Sequence, residues 1–147
     1  MPALTPEEFV AESSDRISTM WISEAGQLTQ FGAFLEILQP GAQSSIKHWH
    51  SAEDEMVYVL EGEVTLIEGD TETVLRPGDA ATFRSGVAVG HTLQNRGALP
   101  SKCLVVGTRA PLDRITYPDH DRVCIRDRSL PDDEWTTIAG MPAASPY

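Results

Sequence analysis

Short runs in which apolar and polar residues alternate dominate the chain from residue 32 onward. Alternation with a period of two is the pattern of a β-strand with one buried face. In the first run, Ala33, Leu35 and Ile37 share one face. The runs are rich in β-branched and aromatic residues, and they predict strands over 32–39, 55–60, 63–68, 71–75, 79–83, 91–95 and 102–108.

Turn-forming residues separate the predicted strands. Short strands that are joined by such turns at intervals of about 8–12 residues are typical of an all-β sandwich or barrel. Gly62 and Gly86 are expected at turns that need a positive φ angle, and Asn95 is expected to hydrogen-bond the backbone at a turn. The breaks fall at Pro40-Gly41, Glu61-Gly62, Gly69-Asp70, Pro77-Gly78, Ser85-Gly86 and Arg96-Gly97.

The N-terminal stretch carries one helical signal. Thr5 can act as the N-cap, Pro6 suits the first helical position, and Glu8 completes a capping box. We therefore predict a short helix over 6–12.

Beyond residue 108 the alternation fades, so we predict an irregular C-terminal extension over 109–147 that runs across the surface. Within it, "RVCIR" is a candidate strand and "PDDEW" a candidate helical turn. The chain as a whole, 1–147, is expected to form a single domain with its barrel core at about 32–108.

Length and composition indicate how many domains the protein has and where it is located. Its 147 residues suffice for one domain with a real core. No window approaches the roughly 18 continuous apolar residues of a membrane span, and the N-terminus carries no basic and apolar secretion signal. We therefore expect a soluble cytoplasmic protein.

The net charge of −11 makes nucleic acid and anionic membranes poor partners, because phosphate contacts need clustered lysine and arginine. The two cysteines, Cys103 and Cys124, form neither a disulfide framework nor a CxxC motif. Both lie in strand-like segments, and we expect them to be buried free thiols that pack like small hydrophobic residues.

A polar stretch, "KHWHSAEDE" at residues 47–55, holds the first candidate chemistry. In a strand, His48 and His50 point the same way, so two imidazoles could bind one ion. An isolated H-x-H is weak evidence, since a solvated or hydrogen-bonded pair is more common. Trp49 faces the other way and fills a core or interface position.

Two further polar residues stand at strand starts. Glu55 precedes "MVYVL", where a buried carboxylate must be paired or bind a metal. His91 begins "HTLQN". The neighbouring Glu53 and Asp54 are interpreted as turn residues that face water, and His120 as a surface residue. Imidazole and carboxylate ligands suit Zn, Fe, Mn, Ni or Cu.

Two stretches resemble the paired sequence motifs of the cupin family. "GAQSSIKHWHSAEDEMVYVLEG", residues 41–62, is similar to the first motif in its H-x-H, its later Glu and its closing Gly. "GDAATFRSGVAVGHTLQN", residues 78–95, resembles the second motif in its opening turn and its H-x-x-x-N ending. Arg84 stands where the family usually has Pro, and two extra residues separate Gly86 from His91.

The resemblance implies an all-β, cupin-type double-stranded β-helix, or jelly-roll, barrel. It also implies one divalent metal ion held by His48, His50, Glu55 and His91. The identity of the metal, among Zn, Fe, Mn, Ni and Cu, stays open.

The small single-domain cupins that this chain resembles include isomerases, lyases and dioxygenases that act on small polar or carboxylated metabolites. Sugar-phosphate isomerases are among them. Tyr58 is the candidate acid–base residue, with barrel packing as its alternative role. Lys47 and Arg84 are the nearest candidates for an anion contact. A non-catalytic binding or sensor cupin is the alternative function, and a purely structural metal is a third.

A small molecule is therefore the expected ligand or substrate. We also expect a homodimer, since the edge strands of a β-barrel must be covered. Residues 32–39 and the N-terminal segment are the candidates for that cover.

Overall fold

The structure, a computed structural model, describes residues 3–147, and within them antiparallel strands dominate. The one α-helix of this range, α1, is the short segment Ile22–Ala25, and 3-10 turns span Pro6–Glu8 and Pro118–His120. No helix in the described part of the chain has the length and apolar character to cross a bilayer. The strands are β1 Val10–Ser13, β2 Ile17–Trp21, β3 Phe31–Leu38, β4 Trp49–His50, β5 Glu55–Glu61, β6 Val64–Glu68, β7 Thr71–Leu75, β8 Ala80–Phe83, β9 His91–Gln94, β10 Ser101–Thr108, β11 Leu112–Tyr117, β12 Arg122–Asp127 and β13 Glu134–Thr136.

Two β-layers enclose the core and form the expected jelly-roll barrel. The first layer is a six-stranded sheet with the order β1-β2-β3-β10-β5-β8. The second combines a four-stranded sheet, β13-β12-β11-β4, with a three-stranded sheet, β7-β6-β9. These two sheets meet where His48 and His91 pair in an isolated antiparallel bridge.

Alternating side chains from both layers fill the core. Val57, Val59 and Val105 of the first layer pack in one cluster with Leu66 and Leu93 of the second. All seven strands predicted from the alternation are present, and their ends differ from the predicted bounds by one residue at most. Both cysteines are buried and free, as expected.

In strand β3, the face with the regular apolar alternation is the outer one. Ala33, Leu35 and Ile37 do share a face, but the buried face is the other one, which carries Glu36 and Leu38. The alternation alone does not tell which face of β3 is buried. The outer face carries three apolar residues, whereas the buried face contains a carboxylate.

The predicted helix over 6–12 is shorter than expected. The capping box forms, since the Glu8 carboxylate accepts a hydrogen bond from the Thr5 backbone N–H at 2.7 Å. The helical segment nevertheless ends after one 3-10 turn. The following residues form β1, which pairs with β2 and extends the six-stranded sheet beyond β3. Hairpin pairing thus overrides the local helical signal.

The extension beyond residue 108 is more regular than predicted. It contains β11, β12 and β13, and "PDDEW" leads into strand β13 rather than a helical turn. "RVCIR" is indeed a strand, within β12. Strand β11 pairs with β4, with Ile115 opposite His50 and Thr116 opposite Trp49. The C-terminal part therefore supports the strand that carries the H-x-H pair.

Two predicted turn residues behave as expected. Gly62 has a φ of 73°, and a Cβ atom there would lie 2.6 Å from the Pro100 carbonyl oxygen, so only glycine fits. Asn95 is buried, and its amide donates to the carbonyl oxygens of Leu38 and Leu99 at 2.8 and 2.9 Å.

Candidate metal centre

Strand β4, the residue His48 just before it, and strand β9 bring three imidazoles together. The backbones of His48 and His91 exchange two hydrogen bonds, with N–O distances of 3.2 and 2.9 Å. The ring of His48 lies 4.9 Å from that of His91 and 5.1 Å from that of His50, measured between centroids. The spacing of two residues between His48 and His50 places both side chains on one face of the strand.

Glu55 reaches the same cluster from the opposite layer. Its Oε1 atom lies 3.2 Å from Nε2 of His91, and its Oε2 atom lies 3.9 Å from Nε2 of His50. Ligand atoms of His48, His50 and Glu55 all lie within 4.8 Å of one another. Burial alone would raise the pKa of Glu55, but the hydrogen bond to His91 and the nearby imidazoles hold it below its usual range.

The histidine tautomers leave nitrogen lone pairs for a ligand. Nδ1 of His48 lies 2.8 Å from the Ile46 carbonyl oxygen, which can only accept, so this nitrogen carries the proton. Its Nε2 is then free to bind a metal. Burial lowers the pKa of His48 to about 4, which keeps the ring neutral near pH 7.

Asp113, on β11, fixes the ring of His50. Its buried Oδ2 lies 2.7 Å from Nδ1 of His50, while its Oδ1 accepts hydrogen bonds from Ser51 Oγ at 3.2 Å and Ala52 N at 2.9 Å. Burial would lower the pKa of His50, yet the Asp113 hydrogen bond and the surrounding carboxylates raise it above its usual range. A carboxylate on the remote nitrogen orients a ligating histidine and increases its basicity.

Glu53 does not face water, contrary to the sequence interpretation. It is only 8% exposed, and its Oε1 accepts hydrogen bonds from Arg128 Nη2 at 2.5 Å and Ala110 N at 3.1 Å. Asp54 is exposed as expected and accepts a hydrogen bond from Ser85 N at 2.8 Å. The burial of Glu53 results from the C-terminal segment that folds over it, which no local pattern around residue 53 indicates.

His50, Glu53 and Asp113 form a second group that could hold a cation by distance alone. Their atoms are already engaged, since Glu53 binds Arg128 and Asp113 binds His50 Nδ1. These carboxylates therefore support the centre formed by the three imidazoles and Glu55.

Tyr58 does not reach the centre. It lies three positions after Glu55 on β5, so the two side chains point to opposite faces of the sheet. Tyr58 is 38% exposed on the outer face. The structure therefore does not bring the candidate acid–base residue Tyr58 to the centre, since its side chain faces away from the imidazoles.

Two cavities are each lined by at least two of the side chains His48, His50, Glu55 and His91. The outer one, of about 250 Å³, is lined by Trp49, His50, Phe83, Arg84, Val87 and His91 among others. The inner one, of about 180 Å³, is lined by residues that include Glu36, Ser45, His48, Glu55, Phe83 and His91. Phe83 and His91 border both cavities, and their rings stack in parallel at 3.6 Å.

The two cationic side chains near the centre differ in whether they are free to contact a ligand. Lys47 donates to the Gly69 carbonyl oxygen at 2.9 Å and lies 3.5 Å from Asp119, so its ammonium is engaged by the protein. Arg84 is exposed at the outer cavity. The buried Glu36, which the sequence interpretation did not single out, is the additional carboxylate near the centre.

Comparisons with known proteins agree with this architecture. A family model described as a cupin domain matches residues 34–107. A crystal structure of a sugar phosphate isomerase of the cupin superfamily from Silicibacter pomeroyi is 34% identical, with a TM-score of 0.88, and the match covers 98% of each chain. No curated protein matches the sequence.

Two more distant structures share the fold. A candidate sugar phosphate isomerase from Acidithiobacillus ferrooxidans is 28% identical, with a TM-score of 0.77 over 87% of this chain and 81% of the other. The polyketide cyclase RemF from Streptomyces resistomycificus is 20% identical, with a TM-score of 0.62 over 74% of this chain and 79% of the other. At the latter identity the likeness concerns the fold alone.

Proposed function

This chain belongs to the cupin family, and on that premise we propose that it is a metal-dependent isomerase of a small hydroxylated carbonyl compound, such as a sugar phosphate. His48, His50, Glu55 and His91 would hold one divalent ion. The observation that carries the proposal is the convergence of these three imidazoles and one carboxylate between two cavities.

The donor set fits a divalent metal. The Nδ1 atoms of His48 and His50 are held by Ile46 and Asp113, which leaves both Nε2 atoms as donors. Glu55 contributes a carboxylate whose lowered pKa keeps it charged. Metal ligands must be deprotonated, and this environment favours that state for His48 and Glu55. When bound, such an ion supplies Lewis-acid polarisation of a carbonyl or hydroxyl oxygen.

The protein residues account for binding and orientation of the substrate. Arg84 can contact an anionic group such as a phosphate from the outer cavity. His50 is held in position by Asp113, and Phe83 holds the ring of His91 by stacking. The similarity to a structure described as a sugar phosphate isomerase supports isomerisation over the lyase and dioxygenase reactions of other cupins.

We also propose that the protein is a homodimer. The outer face of the six-stranded sheet carries half-buried or exposed apolar residues, among them Leu35, Tyr58 and Leu104. Contiguous exposed apolar surface of this kind marks an interaction site. A second copy of the chain would cover it.

Deuterium exchange tests the isomerase proposal across a panel of candidate substrates. Protein reconstituted anaerobically with Zn, Fe(II), Mn, Ni or Cu is incubated in D₂O with aldose and ketose phosphates and small hydroxy acids. NMR then reports deuterium at the carbon next to the carbonyl. We expect exchange with at least one metal and one sugar phosphate, and none in the chelator-treated protein.

The other outcomes identify the alternative functions. Saturable binding of a panel compound without deuterium exchange indicates a binding or sensor protein. Oxygen consumption with the Fe(II) form indicates a dioxygenase. His48→Ala serves as the control that carries the same barrel with an incomplete ligand set.

A further inference from the structure

Glu36 is a buried carboxylate that lines the inner cavity. It lies in the middle of β3, is 8% exposed, and lines the cavity of about 180 Å³ together with His48, Glu55 and His91. Its carboxylate therefore faces the same space as three of the four proposed metal ligands.

The surroundings of Glu36 differ from those of the other buried carboxylates. Among residues 3–147, no group forms a hydrogen bond or an ion pair with its side chain. Glu53 and Asp113, which are similarly buried, are each bonded by several donors, including Arg128 for the former and Ser51 for the latter. A buried carboxylate without a partner destabilises the fold, so a selected function is the simplest reason for its presence.

Within the described part of the chain, no lysine or arginine lines the inner cavity. The part of a ligand that lies beside Glu36 must therefore be uncharged and able to hydrogen-bond a carboxyl group, as a carbon chain with hydroxyls does. An anionic group finds its cation, Arg84, in the outer cavity. This arrangement would orient a sugar phosphate with its phosphate outward and its carbonyl end inward.

Burial and the negative charge of Glu55 raise the pKa of Glu36 to about 7. A buried carboxyl group whose pKa is raised holds a proton more readily near neutral pH than an exposed one, which suits general acid–base catalysis.

We propose that Glu36 is the acid–base residue of the isomerisation, an inference that rests on the proposed function. Its carboxylate takes the proton from the hydroxyl-bearing carbon next to the carbonyl. The electron pair of that C–H bond becomes the C=C bond of an enediolate, the π electrons of the carbonyl move to its oxygen, and that oxygen takes the proton of the neighbouring hydroxyl. Glu36 then returns its proton to the former carbonyl carbon, and the second oxygen becomes the new carbonyl.

The test compares Glu36→Gln, Glu36→Asp and an exposed control, Glu12→Gln. Each protein is assayed for metal content, for metal affinity with a chelating indicator, and for deuterium exchange into the sugar phosphate on which the wild type acts. We expect Glu36→Gln to lose at least 100-fold in exchange rate, with its metal content and affinity unchanged within twofold. Glu36→Asp should recover part of the rate, and the control should match the wild type.

The outcomes separate this inference from the proposed function. Exchange by Glu36→Gln at the wild-type rate overturns the role of Glu36 while the isomerase stands. Loss of metal together with activity also overturns it, since Glu36 would then act on the metal. Absence of exchange in the metal-loaded wild type overturns both. If Glu36→Gln does not fold, Glu36→Asp decides: a wild-type rate overturns the inference, and a reduced rate with intact metal affinity supports it.

Discussion

Nδ1 of His50 lies 2.7 Å from Oδ2 of Asp113, and this contact joins the candidate metal centre to the C-terminal part of the chain. Asp113 belongs to β11, which also pairs with the strand of His50. Backbone pairing and side-chain hydrogen bonding therefore fix the same ring. The C-terminal segment is thus a structural part of the site.

Asp113→Asn should weaken metal binding about 10–100-fold, the usual effect of removing such a partner. With its oxygen still toward Ala52 N, the amide would present N–H to Nδ1 of His50 and shift the imidazole proton to Nε2. Competition against a chelating indicator measures the affinity, and ¹⁵N NMR of the imidazoles reports the tautomer. The exposed Asp70→Asn is the control. Unchanged affinity in Asp113→Asn would show that Asp113 does not position His50.

Loss of individual ligands should have graded effects on metal content. His48→Ala and His50→Ala should bind almost no metal while the barrel persists, because each removes a donor from the H-x-H pair. Glu55→Gln keeps the side-chain size but removes the charge, so its affinity should fall with little loss of packing. Elemental analysis and circular dichroism measure the two effects, with the exposed His120→Ala as the control.

His91→Ala decides whether the site has four ligands. His91 contacts Glu55, whereas His48, His50 and Glu55 already form a compact group without it. We expect His91→Ala to lose most of its metal affinity. Full occupancy and unchanged affinity in this variant would limit the site to the three-residue group.

Glu53→Gln should destabilise the protein by about 2 kcal/mol, as expected for the loss of hydrogen bonds to a charged group. Arg128 would lose its charged partner, although its partial exposure moderates the cost. Urea unfolding measures the free energy. Asp54→Asn, at the neighbouring exposed position, should change stability by less than about 0.5 kcal/mol. Equal values for the two variants would contradict the buried ion pair.

The predictions from the sequence succeeded where alternation and turns agree. Strands β3 and β5 to β10 were predicted almost to the residue, because glycine and proline mark their ends and apolar side chains mark their faces. The H-x-H pair and Glu55 were identifiable because polar residues at strand starts contrast with the apolar residues that follow.

Two of the features that the sequence does not predict share a physical cause. Asp113 and Glu36 are charged residues on inward-facing positions, and each breaks the apolar alternation of its strand. For this reason the sequence predicts an irregular segment where β11 lies, and the alternation does not identify the inner face of β3. Local rules fail most readily where function places a polar group in the core. Glu53 lacked any local signal, since its partner Arg128 lies far along the chain.

The stability of the metal-free protein should depend on Glu36 above pH 4.5. Burial first and Glu55 second raise the pKa of Glu36 to about 7. The stabilisation associated with its protonated form is complete below about 4.5 and is lost as the pH rises through about 7. Above that pH, Glu36→Gln should be more stable than the wild type by up to about 3 kcal/mol.

The difference in the free energy of unfolding between the wild type and Glu36→Gln isolates the contribution of Glu36. The lowered pKa of His48 acts in the opposite sense, because that contribution is lost as the pH falls through about 4. Cys103, which pairs with Glu36 across the sheet, has a pKa raised to about 12 by burial and by Glu36, so it stays protonated throughout. Urea unfolding at pH 4 and pH 8 measures the difference. An equal difference at both pH values would show that Glu36 does not titrate in this range.

The outer face of the six-stranded sheet carries a row of apolar side chains. Cross-strand pairing aligns Met20 with Leu35, Leu35 with Leu104, and Leu104 with Tyr58, so these side chains form one row on one face. Tyr58 contributes a large, partly exposed ring to this row. Strand β3 is flanked by β2 on one side and β10 on the other, so it has no free edge. The apolar surface that needs a partner is therefore the outer face of the sheet.

Leu104→Lys should therefore convert a homodimer into a monomer, because it places a charge in the middle of the apolar row. Leu112→Lys is the matched control, since Leu112 is exposed on β11, in the other layer. Light scattering at micromolar concentration should give the dimer mass for the wild type and for Leu112→Lys, and the monomer mass for Leu104→Lys. A monomeric wild type would contradict the homodimer itself. A dimeric Leu104→Lys protein would instead place the interface on another surface, such as the edge strands β1 and β8.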